Sequence, residues 1–234
     1  MTLGELWEEE APNWIRWARE PGHDSYWRFH REAFLSSLPG PGRLTLDVGC
    51  GEGRVSRDLR ALGHNIVGVD RSPSMIEAAR EADPDGEYVE ADAAALPFDD
   101  RSVDLAIAFM SLMDLDDMPG GLRELARVLE PGGTVIASVV HPMNSAGEFV
   151  PRDGGEDAPY VIHSYRQRRR YVDTIERSGL PITFNSIHFT LEDFWRAFRD
   201  AGLVVTDLRE GYDDENPRWR RVPLFLHLRA VKPT

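Results

Sequence analysis

The sequence predicts an α/β fold, a doubly wound parallel sheet with helices on both faces, and three observations carry that prediction. From residue 43 onward short apolar runs alternate with amphipathic ones, the pattern of parallel strands joined by crossover helices. The stretch LDVGCGEGRVSRDL, residues 46 to 59, leads from an apolar strand through Gly49, Gly51 and Gly53 into a helix. A turn so bare of side chains lets a ligand lie against the backbone. Asp70 then closes a second apolar strand about 20 residues further on, where folds of this class place a carboxylate that accepts hydrogen bonds from a ribose.

The elements follow in order. Residues 1–40 read as helical, with Trp14 and Trp17 three apart, and with Asp24 or Ser25 as the cap of YWRFHREAFLSSL, which PGPG ends. Strand one spans 43–48, a helix 54–62 and strand two 65–70; the next helix opens on Ser72 as cap with Pro73 at its first position. Strand three lies near 87–90, strand four at 103–109, a helix at 117–129 and strand five at 134–140, with Pro131, Gly132 and Gly133 as the helix stop and turn between them. Thr190 and Asp193 form a capping box for LEDFWRAFRDAG, and LVVTDLRE and VPLFLHLRAV are the last strands.

Residues 141–189 form an insertion too long for a plain connection, which makes it the expected seat of substrate specificity. PYVIHSY and ITFNSIHF read as short strands, either extending the sheet or forming a lid. Period-two alternation puts His163 and Tyr165 on one face of the first, and Phe184, Ser186 and His188 on one face of the second. In RQRRRY the alternate Arg166, Arg168 and Arg170 would share a strand face, either as an anion site or as a solvated edge.

Composition narrows the function. The chain has 234 residues, 41% of them hydrophobic, and no repeat, so a single domain is expected: a helical cap (1–40), a cofactor-binding core (41–140), a substrate-side insertion (141–189) and a C-terminal helix with the last strands (190–234). A formal charge of −13 disfavours nucleic acid as a partner, because a polyanion is repelled over most of the surface. Cys50 is the only cysteine, which rules out an intramolecular disulfide or a cysteine-built zinc site, and no metal is expected. The segment MTLGELWEEE lacks an apolar signal core and no run is long enough to span a bilayer, so the expectation is a cytoplasmic protein without membrane attachment, monomeric or homodimeric, acting on a small molecule.

The glycine spacing is G-x-G-x-G, whereas a dinucleotide fingerprint needs G-x-G-x-x-G. Together with Asp70 in IVGVD, Asp92 in EADAAALPF, the strand VDLAIAF and RVLEPGGTVIAS at 127–138, this order resembles the class I S-adenosylmethionine-dependent methyltransferases, specifically those like the ubiquinone and menaquinone biosynthesis enzymes. The resemblance implies a Rossmann-like seven-stranded sheet whose last strand is antiparallel. It also implies S-adenosylmethionine as cofactor and S-adenosylhomocysteine as product. Asp47 and the backbone of Gly49 and Gly51 would hold the amino-acid end, Asp70 would accept hydrogen bonds from the ribose hydroxyls, and Cys50 and Arg71 would also belong to the cofactor site. Asp92 and Ala93 would take the adenine, Met75 would pack on the nucleoside, and Phe109 would line the methionine side.

Methyl transfer is a direct displacement to oxygen, nitrogen or carbon, so positioning dominates, and a base helps only where the acceptor must lose a proton. His141, His163 and His188 are the candidate bases, His188 and His141 the preferred ones, with Tyr165 as a substrate hydrogen-bonding group. After strand four the chain reads MSLMDLDDM, where an acidic side chain could steer a cationic amine or Asp116 could cap the next helix. The alternatives are a nicotinamide-dependent oxidoreductase and a protein that binds S-adenosylmethionine without turnover.

Overall fold

A computed structural model describes residues 1–234. Helix α1 (Leu3–Arg19) opens in a capping box, in which the Glu5 N–H donates to Thr2 Oγ1 and the Thr2 N–H to the Glu5 carboxylate. A turn of π-helix (Tyr26–His30) leads into α2 (Arg31–Ser37), and neither expected cap forms there. Ser25 makes no side-chain capping bond, and Asp24 is drawn instead into a buried ion pair with Arg54, 2.5 Å from Nε.

The core then alternates as the sequence predicts: β1 (Thr45–Val48), α3 (Arg54–Ala61), β2 (Ile66–Asp70), α4 (Pro73–Ala82), β3 (Glu87–Glu90), β4 (Val103–Phe109), α5 (Met118–Val128) and β5 (Leu129–Val140). Ser72 caps α4 by accepting the Met75 N–H at 3.1 Å, with Pro73 at the first helical position, where its missing N–H costs nothing. The helix 117–129 ends one residue early because Leu129 already pairs with Val103, so Pro131–Gly133 lies inside β5 as an irregularity of the ladder and not between elements. Asp117, not Asp116, caps α5, accepting the Gly120 N–H at 2.9 Å.

Beyond β5 come α6 (Pro142–Ala146), β6 (Gly147–Phe149), β7 (Tyr160–Ile162), β8 (Arg169–Arg177), β9 (Leu180–His188), α7 (Leu191–Asp200), β10 (Val204–Gly211) and β11 (Phe225–Val231). The Thr190–Asp193 capping box of α7 forms as expected. The main sheet has the order β10-β11-β5-β4-β1-β2-β3, with β11 antiparallel to both neighbours. One face packs Leu46, Val48, Ala106, Ala108, Val135 and Ala137 on Leu122 and Leu125 of α5 and on Phe194 and Phe198 of α7. The other packs Leu105, Ile107, Phe109 and Ile136 on Phe34, Val55 and Leu59.

The insertion does not extend this sheet. It folds as two separate antiparallel hairpins, β6–β7 and β8–β9, and α1 lies across β9 and α4. Strand β7 stops at Ile162, so His163 and Tyr165 share no strand face, and Arg166 and Arg168 precede β8, so the alternate-arginine face does not form. The expected face of Phe184, Ser186 and His188 does form within β9, continuing the buried position of Ile182.

Candidate functional site

With β4 and β1 adjacent, and crossovers leading one way to β5 and the other way to β2, strand order reverses between them, and a crevice opens beyond their carboxyl ends. Here lies a cavity of about 700 Å³, walled by the glycine turn, α1, the 111–116 loop and the two hairpins. The turn is held from behind, with the Gly49 and Cys50 N–H groups donating to Val69 O at 2.7 and 3.0 Å. A Cβ on Gly49 (φ +75°) would lie 2.3 Å from Ser111 Cβ, and Ser111 Oγ donates to Val48 O at 2.6 Å, so the turn and the 111–116 loop are clamped together. A Cβ on Gly51 (φ +56°) would lie 3.2 Å from Trp14 Nε1, so α1 packs closely over the turn.

Asp70 lines the cavity with its oxygens already oriented: Oδ2 accepts the Gly51 N–H at 2.8 Å and Oδ1 the Ser72 N–H at 2.9 Å. Burial raises its pKa above the usual carboxylate range, and those backbone donors oppose the rise. Asp92 receives the Ala94 N–H at 2.9 Å and stands 3.6 Å from Arg71 Nη1. Arg71, Met75, Ala93 and Phe109 line the same cavity, so eight of the ten residues expected to hold the cofactor, Gly49 and Gly51 among them, are brought together.

Asp47 and Cys50 are the exceptions. Asp47 is buried behind the turn, where it accepts the Ser56 hydroxyl at 2.7 Å, and burial raises its pKa to about 6 against that bond. Cys50 packs away from the cavity on Ile76, Ala79 and Tyr88. Neither side chain lines the cavity: alternation along β1 sends Asp47 to the side opposite Val48, and the turn at Gly49, with its positive φ, directs Cys50 onto α4 and β3.

The three expected catalytic side chains are placed elsewhere. His188 is fully buried with both ring nitrogens engaged, Nδ1 with Ser145 Oγ at 2.7 Å and Nε2 with Tyr165 O at 2.8 Å. His141 caps α6, where its Nδ1 accepts the Met143 N–H at 3.0 Å and its Nε2 meets Glu210 at 3.1 Å. Burial lowers the pKa of both rings. Tyr165 accepts the Leu191 N–H through its hydroxyl at 3.1 Å and lies in a separate surface groove beside α7. None of the three lines the cavity, since each supports a chain junction with the polar atoms it would need for chemistry.

Other residues complete the walls. Arg54, at the first position of α3, is buried against Asp24 and lies over the Trp14 ring at 4.8 Å. A cation at a helix N-terminus opposes the helix dipole, and that was the readable signal for a special role. Trp7, Trp14 and Phe184 make an edge-to-face cluster with centroids 6.0 to 6.2 Å apart, an aromatic wall of the cavity. Asp114 also lines the cavity, with Tyr171 and Ser186 from the hairpin β8–β9.

These residues fit an S-adenosyl cofactor by their own chemistry. A carboxylate held at the strand end suits a diol, a buried guanidinium suits a carboxylate, and a backbone cradle closed to side chains suits a close ligand approach. Comparisons agree. The methyltransferase domain family matches residues 46–137. A malonyl-acyl-carrier protein O-methyltransferase of Salmonella typhimurium is 36% identical over 230 residues, 90% of this chain and 85% of that protein. A demethylmenaquinone methyltransferase of Chlorobaculum tepidum is 30% identical over 69% of this chain and 66% of its own. With several other curated relatives the chain spans only 39 to 47% of their length. Among solved structures, an S-adenosylmethionine-dependent methyltransferase from Mesorhizobium loti superposes with a TM-score of 0.71 at 24% identity, covering 89% of this chain and 98% of that one.

Proposed function

Because the chain belongs to the class I S-adenosylmethionine-dependent methyltransferases, we propose that it transfers a methyl group to a small molecule by direct in-line displacement. The observation that carries this reading is the continuity of one cavity from the glycine turn and Asp70 to the polar residues of the insertion, so that donor and acceptor share a single space. When bound, S-adenosylmethionine supplies an electrophilic sulfonium methyl.

The chain's own residues do the rest. Asp70 accepts from the ribose hydroxyls, Asp92 from an exocyclic amine, and Arg54 balances a carboxylate, while Met75 and Ala93 flank the base. The Trp7, Trp14 and Phe184 wall excludes water from one side of the cavity, and α1 holds it in place: Glu8 accepts from the Ser72 and Ser74 hydroxyls, and Asp116 accepts the Leu3 N–H at 2.8 Å. Catalysis then rests on holding the acceptor in line. No helix is long and apolar enough to cross a membrane.

Calorimetric titration with S-adenosylhomocysteine and, separately, with NAD tests the reading. S-adenosylhomocysteine is expected to bind and NAD not to; the reverse result would return the fold to the oxidoreductases.

A further inference from the structure

Resting on that reading, we propose that Asp114 is the catalytic residue of the acceptor side, that its carboxylate takes the proton of a protic nitrogen or oxygen nucleophile, and that the acceptor is therefore an amine or a phenol and not a carboxylic acid.

The placement is built in. Asp114 ends the short 3-10 turn after β4, its N–H donates to Ser111 O at 2.9 Å, and Ser111 is the residue clamped to Gly49 and Val48. The turn is thus fixed to the cofactor cradle. Oδ1 accepts the Ser186 hydroxyl at 2.6 Å, and Ser186 stands opposite Tyr171 in the β8–β9 register, both of them in the cavity wall. No cation pairs with Asp114, and Oδ2 has no protein donor, which leaves one oxygen for a ligand.

The electrostatics select the ligand. Asp70 from β2 and Tyr171 from β8 act on this carboxylate, and Arg169 and the Arg71–Asp116 pair line the same cavity. Burial and Asp70 raise the Asp114 pKa to about 8 against the Ser186 bond, which poises it for proton transfer near neutral pH. In the ionised form that acts as a base, Asp114 repels a second carboxylate brought against Oδ2 and accepts from an N–H or O–H donor. In the step, the acceptor heteroatom gains the methyl group as its own N–H or O–H bond breaks. The proton forms an O–H bond on Asp114 and the sulfonium charge is neutralised as the carbon–sulfur bond parts; solvent at the cavity mouth then takes the proton.

The test uses the whole chain saturated with S-adenosylhomocysteine, probed calorimetrically with phenols (catechol, resorcinol), amines (benzylamine, tyramine) and acids (benzoate, malonate), and in parallel a labelled methyl donor with the same panel. A phenol or amine is expected to bind the native chain, and Asp114→Asn to weaken that binding about tenfold and turnover about a hundredfold, with S-adenosylhomocysteine affinity preserved and melting temperature no lower. Ser186 is a positioning residue. Ser186→Ala should lower kcat without changing KM and move the rising limb of the pH–rate profile to higher pH, because it removes the bond that restrains the Asp114 pKa. The proposal is overturned if acids bind the native chain better than phenols and amines, if no phenol or amine binds, or if Asp114→Asn leaves their binding and methylation intact. Failure of S-adenosylhomocysteine to bind would instead overturn the proposed function itself.

Discussion

On the donor side of the cavity Asp70 accepts two backbone N–H groups and Asp92 one. On the acceptor side Asp114 has Ser186 alone, and the guanidinium nitrogens Arg169 Nη1 and Arg218 Nε are buried without a partner. The first set comes from one continuous strand–turn–helix stretch and its neighbour; the second is assembled from the 111–116 loop, the hairpins and the 213–219 segment. A buried polar group left unpaired costs about 1–3 kcal/mol, so a protein keeps few of them without use. The difference teaches that the donor side is organised before any ligand arrives, whereas the acceptor side holds its contacts in reserve.

Three measurements can break or sharpen that contrast. The largest effect is expected from Asp24→Asn. Arg54 and Asp24 are 6% and 3% exposed, so the substitution strands a buried guanidinium and should cost about 3–5 kcal/mol in urea-induced unfolding. A loss below about 1 kcal/mol would show the pair to be solvated and the donor side less preorganised than described.

Next comes Asp70→Ala, expected to weaken S-adenosylhomocysteine by about 1.5–3 kcal/mol, roughly ten- to a hundredfold by calorimetry. His188→Ala in the same assay should lower the melting temperature through its lost bonds to Ser145 and Tyr165 while leaving that affinity unchanged. Loss of cofactor affinity in the histidine variant would join the two sides that the geometry separates.

The last effect is one of pH. Asp114 has a folded pKa of about 8 against an ordinary 3.8, so the folded chain binds more protons than the unfolded one between those values. Its contribution to stability is full below pH 3.8 and is lost as pH rises through about 8. Thermal unfolding of Asp114→Asn should therefore match the native chain near pH 4 and exceed it near pH 9. Equal melting temperatures at both pH values would show the carboxylate to be solvated.

The same contrast explains what could be read in advance. The donor side was legible because its residues are fixed by short-range rules: glycines where a turn needs positive φ, an aspartate at a strand end, and Ser72–Pro73 at a helix start. The acceptor side depends on how hairpins settle on α1. Alternation put Ser186 and His188 on one face, yet only packing decides that Ser186 reaches Asp114 in the cavity while His188 turns to Ser145. Asp114 stood in a run of three aspartates, Asp114, Asp116 and Asp117. Local pattern could not show that Asp117 caps α5, that Asp116 holds the start of α1 from the cavity rim, and that Asp114 meets Ser186 in the cavity wall. Asp47 and Cys50 were misplaced for the opposite reason. A motif names the whole segment, whereas strand alternation puts Asp47, and the glycine turn Cys50, underneath it.

Cys50, the lone thiol, gives that hidden underside an experimental handle. It is 2% exposed on the lower face of the glycine turn, and burial pushes its pKa well up, so in the closed chain it is both unreachable and un-ionised. A thiol reagent can then label the native protein only during excursions that lift the strand–turn–helix unit from Ile76, Ala79 and Tyr88. The labelling rate becomes a clock for local opening at the donor side, built into the wild-type sequence. Any nucleoside ligand that binds the closed turn must slow the clock in proportion to its occupancy.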